Sequence, residues 1–204
     1  MEYRRSQQNI TRLFESAQIP RRYLEKTFAA FEQELQPVAW KTACRYVERF
    51  STIRNGFKNS LWFTGTKGTG KSHLAYAITN ELLKQQYTVI TVVVPDLLDM
   101  LRPKADKTKT LAEERMQAIR TADLVILDDL GAEKDSEWAA ERIYLILNNR
   151  YNEQKPVVVT SNPLPDELEK ISQQWERIVS RLHEMCYIIT MDGPDYRKGG
   201  MPNG

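Results

Sequence analysis

Apolar residues follow two rhythms along this chain. Some short runs are apolar at nearly every position: "LWF" at 61–63, "YTVITVVV" at 87–94, "LVIL" at 124–127, "PVVV" at 156–159 and "YIITM" at 187–191. They are rich in β-branched and aromatic residues, and a strand with no alternating polar side is one covered on both faces. Between these runs apolar residues return at helical spacing. Trp40, Ala43, Cys44, Val47 and Phe50 do so in "AWKTACRYVERF", and Ala140, Ile143, Tyr144, Leu147 and Tyr151 in "SEWAAERIYLILNNRYNEQ". "KSHLAYAITNELLKQ" and "WERIVSRLHEM" also read as helices. "PDLLDMLR" reads as a short helix with Pro95 near its start, and "LAEERMQAIRTA" as a weaker one. Strands that alternate with helices predict an α/β fold, a parallel five-stranded sheet sandwiched between helices.

The ends of the chain are more polar. Residues 1–35 read as an N-terminal lead-in and linker, 36–192 as the core, and 193–204, rich in Gly and Pro, as a flexible tail. Composition narrows the class. A chain of 204 residues with 41% hydrophobic and 27% charged content suits one globular domain. The net charge of +2 makes no global case for nucleic acid. Cys44 and Cys186 fit no metal spacing, which excludes a zinc ribbon. No leader-like N-terminus and no run of about 18 apolar residues is present, so a cytoplasmic protein away from the membrane is expected.

Chemistry concentrates at the ends of three strands. "GTKGTGKS", Gly65 to Ser72, matches the phosphate-loop pattern in full between a strand and a helix. Glycines let the backbone of Gly65, Thr66, Lys67, Gly68, Thr69 and Gly70 wrap phosphate oxygens. The following helix offers its positive end, Lys71 can reach the β- and γ-phosphates, and the Ser72 hydroxyl can ligate Mg²⁺. Thr66, Lys67 and Thr69 fill the loop, and His73 either packs or joins the site. The predicted cofactors are ATP or ADP with Mg²⁺. "LVILDDLG" ends a second strand in two acids whose side chains should diverge, one toward the metal and one toward the γ-phosphate and its attacking water. "VVVTSN" ends a third strand in Thr160, Ser161 and Asn162, where Asn162 can bond the γ-phosphate or that water.

This order of motifs resembles the AAA+ (ASCE-type) P-loop ATPases. The blocks "IPRRYLEKTFAAFE", "GTGKSHLAYAI", "DDLGAE", "VVTSN" and "ERIVSRL" are similar to DnaC/DnaI-type helicase loaders and their IstB-like transposition-helper relatives. The resemblance covers about residues 18–197. It implies Walker A roles for Lys71 and Ser72, the Walker B magnesium acid at Asp128, sensor 1 at Asn162 and a sensor 2 role for Arg197. It also implies an arginine finger at Arg177 or Arg181. These arginines stand one turn apart on one helix face, and Arg181 is favoured because it follows a serine. Ile19, Tyr23 and Phe28 become adenine-pocket candidates. Asp129 stands where many AAA+ proteins carry Glu, with Glu133 a possible substitute. The basic break "LRPKADKTKT" offers Arg102, Lys104, Lys107 and Lys109 to single-stranded DNA, as insertions near this place do in loaders. The resemblance implies an ATPase that forms nucleotide-dependent homo-oligomers and loads a hexameric replicative helicase in DNA replication. The alternatives are a transposition helper with a transposase partner and a nucleotide switch with very slow hydrolysis.

Overall fold

A computed structural model describes residues 2–14, 25–102, 106–133 and 136–198. Its strands are β1 (Ser60–Thr64), β2 (Val89–Val93), β3 (Leu124–Leu130), β4 (Val157–Ser161) and β5 (Cys186–Thr190). Its helices are α1 (Glu2–Leu13), α2 (Pro37–Glu48), α3 (Phe50–Ile53), α4 (Lys71–Lys84), α5 (Val94–Leu101), α6 (Asp106–Thr121), α7 (Glu137–Asn152), α8 (Pro165–Glu169) and α9 (Gln173–Met185). The strands form one all-parallel sheet in the order β2-β3-β4-β1-β5. This is the expected α/β sheet.

The continuous apolar runs have a direct cause. Successive side chains of a strand point to opposite faces, and each face here has its own core. Leu61, Phe63, Leu124, Ile126, Val158 and Ile189 pack with buried residues of α2, α3 and α4. Trp62, Ile90, Val92, Val125, Leu127, Val157 and Val159 pack with residues of α5, α6, α7 and α9. Ser136 and Ser172 cap α7 and α9 by accepting the Ala139 and Trp175 amide N–H groups. Cys44 and Cys186 are free thiols.

Three segments differ from expectation. The polar N-terminus carries α1, which lies along the outer edge of β2. Gln7 donates from Nε2 to the Val89 carbonyl and accepts the Val89 N–H at Oε1, at 3.2 and 3.1 Å. It thereby pairs an otherwise open sheet edge. Ile10, Leu13 and Phe14 bury into the core beside it, and Arg115 Nε donates to the Leu13 carbonyl at 2.8 Å. The basic break before the third strand is shorter than expected, because α6 begins at Asp106 and takes in Lys107 and Lys109. Residues 193–197, expected to trail as a tail, lie against the phosphate loop.

Candidate nucleotide-binding site

The loop between β1 and α4 is shaped by glycines that have no room for a side chain. Gly70 has a φ of 95°, and a Cβ there would stand 2.6 Å from the Phe31 ring. Gly68 has a φ of 82°, and a Cβ there would overlap the Asp195 carboxylate. Thr69 is buried and donates to the Thr66 carbonyl at 2.9 Å, closing the loop on itself. Lys71 Nζ donates to the carbonyls of Gly65 and Thr66 at 2.7 and 2.6 Å, so the ammonium stands within the loop. Burial pulls its pKa down to about 8, against the opposing pull of Asp129 and Asp128.

The two acids at the tip of β3 diverge, as expected, but by more than alternation alone. The pairing of β3 with β4 slips between Leu127 and Leu130, and Asp129 takes a left-handed φ of 63°. Such a bulge re-aims a side chain at the end of a strand. Asp128 is only 3% exposed. Its carboxylate accepts a hydrogen bond from Thr160 Oγ1 at 2.6 Å, and the hydroxyls of Ser72 and Tyr76 lie near enough to favour its charged form. Burial raises its pKa, and those three hydroxyls work the other way. Asp129 is half-buried and accepts from Asn162 Nδ2 at 3.0 Å. β4 lies between β1 and β3, so its tip joins the phosphate loop to the acids. A buried carboxylate beside a serine hydroxyl suits Mg²⁺, which takes one or two hard protein oxygens and completes its shell with phosphates and water. Asp128 and Ser72 would hold it.

Two segments wall the loop. His73 Nε2 bonds the Thr27 carbonyl at 2.8 Å and its ring meets Phe31 edge-on, so His73 fastens the lead-in segment to α4. On the other side Thr66 Oγ1 bonds both the carbonyl and the N–H of Gly193, and the Tyr196 N–H donates to the Gly68 carbonyl. Arg197 makes a two-pronged pair with Asp195, at 2.8 Å from both Nε and an Nη nitrogen. Lys67 is exposed at the rim.

The remaining expected residues are dispersed. Phe28 packs into the core near Trp40, whose indole N–H bonds the Phe28 carbonyl. Ile19, Tyr23 and Lys104 lie outside the described residues. Lys107 and Lys109 stand in the first turns of α6. Arg102 is exposed, with its guanidinium over the Trp138 ring at 5.0 Å. Arg181 donates to Asn148 Oδ1 at 2.9 Å and stacks over Tyr151, whereas Arg177, on the preceding turn, is exposed. Glu133 accepts the Gly131 N–H at 3.0 Å and so closes the turn after β3. Tyr76 and Phe31 carry no motif that marks them in the sequence, and Thr160 is marked there only as a polar residue at its strand tip. The i, i+4 spacing of Ser72 and Tyr76 on α4 is a signal for one of them, since it sets both hydroxyls on one helix face.

A phosphate loop, a helix starting at its lysine and strand-tip acids on a β2-β3-β4-β1-β5 sheet define a P-loop nucleotide-binding protein of the AAA+ class. Within that class the chain belongs to the IstB-like ATP-binding protein family, whose model matches residues 2–201. It is 28% identical to the phage-like element PBSX protein XkdC of Bacillus subtilis (strain 168) over 202 residues, covering 94% of this chain and 74% of XkdC. It is 30% identical to the replicative helicase loader DnaC of Escherichia coli (strain K12) over 151 residues. That match covers 74% of this chain and 59% of DnaC, so the chain spans about three fifths of the loader. The crystal structure of DnaI is 28% identical, with a TM-score of 0.70 over 86% of this chain and 96% of that one. Among the described residues no helix is long and apolar enough to cross a membrane.

Proposed function

We propose that this chain is an Mg²⁺-dependent ATPase that acts as a helicase loader, driving a replicative helicase onto single-stranded DNA as a nucleotide-dependent homo-oligomer. The observation that carries the reading is the buried Asp128 carboxylate, with the Ser72 hydroxyl beside it, next to a loop already holding Lys71. Asp128 and Ser72 would hold the cation, whose positive charge would offset the negative charge of the phosphates. Lys71 would balance their charge, and Asp129 with Asn162 would order the attacking water. Similarity to DnaC and DnaI supports the loader role, and Arg102, Lys104, Lys107 and Lys109 are the residues proposed to meet DNA phosphates. Arg177 and Arg181 are the candidates for a finger reaching a neighbouring subunit, and Arg197 for contact with the nucleotide bound by its own chain.

Two observations favour narrower variants. The IstB-like family match supports a transposition helper with a transposase partner. The short Asp129 arm, already engaged by Asn162, supports a switch with slow turnover. Phosphate release with and without single-stranded DNA, together with pull-down from host lysate, separates these readings. Stimulated release and recovery of helicase are expected. Tight ATP binding with no release leaves only the switch, and recovery of transposase without helicase ends the loader reading.

A further inference from the structure

The geometry points to Thr160 as a positioning residue for both acids. We propose that its single hydroxyl aims Asp128 at the cation and holds the backbone turn that presents Asp129. This inference rests on the Mg²⁺-ATP reading above and adds a residue to it.

The directions of the hydrogen bonds are forced. The Asp129 N–H can only donate, and it lies 2.9 Å from Thr160 Oγ1. The hydroxyl oxygen therefore accepts there, and its one hydrogen goes to Asp128 Oδ1 at 2.6 Å. Thr160 is 1% exposed, so water does not compete for either bond. The Asp129 amide needs such a partner because the slip between Leu127 and Leu130 takes it out of the regular ladder with β4. A buried N–H without a partner is costly. Thr160 supplies from its side chain the acceptor that the strand no longer offers. Asn162, the residue just after β4, donates from Nδ2 to the Asp129 carboxylate at 3.0 Å. The tip of β4 thus holds both acids, one through Thr160 and the other through Asn162, while Ser72 and Tyr76 reach Asp128 from α4.

The test compares Thr160→Val with Thr160→Ser. Valine keeps the branched shape and removes both bonds, whereas serine keeps the hydroxyl. Binding of a fluorescent ATP analogue is titrated against Mg²⁺ and repeated in EDTA, with thermal melts to show that each variant folds. Thr160→Val is expected to need ~10-fold more Mg²⁺ for half-maximal tight binding, the usual scale for losing a group that orients a metal ligand. Its affinity in EDTA should match the parent, and Thr160→Ser should restore the parent's Mg²⁺ requirement. A residue that merely fills space would not shift the Mg²⁺ requirement alone. If Thr160→Val does not fold, Thr160→Ala is the second hydroxyl-free variant. Unfolding of both makes Thr160 a stability residue and overturns the proposal, as does an unchanged Mg²⁺ requirement in either. A parent chain that binds no ATP at all overturns the Mg²⁺-ATP reading and this inference with it, a result distinct from a parent that binds and a variant that matches it.

Discussion

The two ends of the sheet each bury a charge, and they satisfy it in opposite ways. At the starts of the strands, Arg150 is fully buried, and its guanidinium donates to the carbonyls of Ile119, Ala122, Asp123 and Pro156. Those carbonyls belong to the end of α6 and to the segments leading into β3 and β4, so one side chain pins three elements. At the strand tips, Asp128 is almost as buried, but side-chain hydroxyls answer it. Backbone carbonyls are spent once the arginine is in place. Ser72 can turn its oxygen from the acid to a cation, because a hydroxyl both donates and accepts. The same cost of burial therefore gives a staple at one end and a ligand site at the other.

The largest effect is expected at the Arg150 staple. Arg150→Ala leaves several buried carbonyls without donors and should destabilise the fold by ~3–5 kcal/mol, read from urea unfolding. A loss confined to nucleotide binding, with unchanged unfolding, would make the two ends alike. Next in size, Lys71→Ala should weaken ATP binding by ~10–100-fold, the scale of lost hydrogen bonds to a charged group, while stability holds. Equilibrium titration beside the same urea series reads both.

Asp129→Glu sharpens the division of labour between the acids. Asp tolerates a left-handed φ better than Glu, and its carboxylate already meets Asn162. Hydrolysis should therefore slow by about 10-fold with ATP affinity retained. A faster variant would mean that the short arm limits turnover. The smallest effect is in pH. Phosphate binding keeps Lys71 protonated, whereas in the free protein its pKa is lowered to about 8. Affinity should thus fall as pH rises through that value, by about threefold between pH 7.5 and 8.5. A flat profile would mean that the lysine keeps its charge throughout.

Legibility in sequence followed the range of the contacts. Gly65 to Ser72 was readable because the loop's internal bonds, such as Thr69 to Thr66 and Lys71 to Gly65, close within a few residues. Asp128 was readable because a carboxylate ending an apolar run needs a partner. The docking of α1 was not readable from its polar composition, since Tyr3, Gln7 and Arg115 make their contacts across 80, 82 and 102 residues. The placement of residues 193–197 was hidden for the same reason, as Thr66 and Gly193 are 127 apart.

Sequence by itself determined the strands, the main helices between them and the phosphate loop, because hydrophobic period and glycine placement are local properties of the chain. Tertiary structure alone decided which strand tip stands beside which. Setting β4 between β1 and β3 brings Thr160 and Asn162 to the two acids. Strand order follows from how the two faces of the sheet share their buried surface, and a linear pattern of apolar residues does not carry that information.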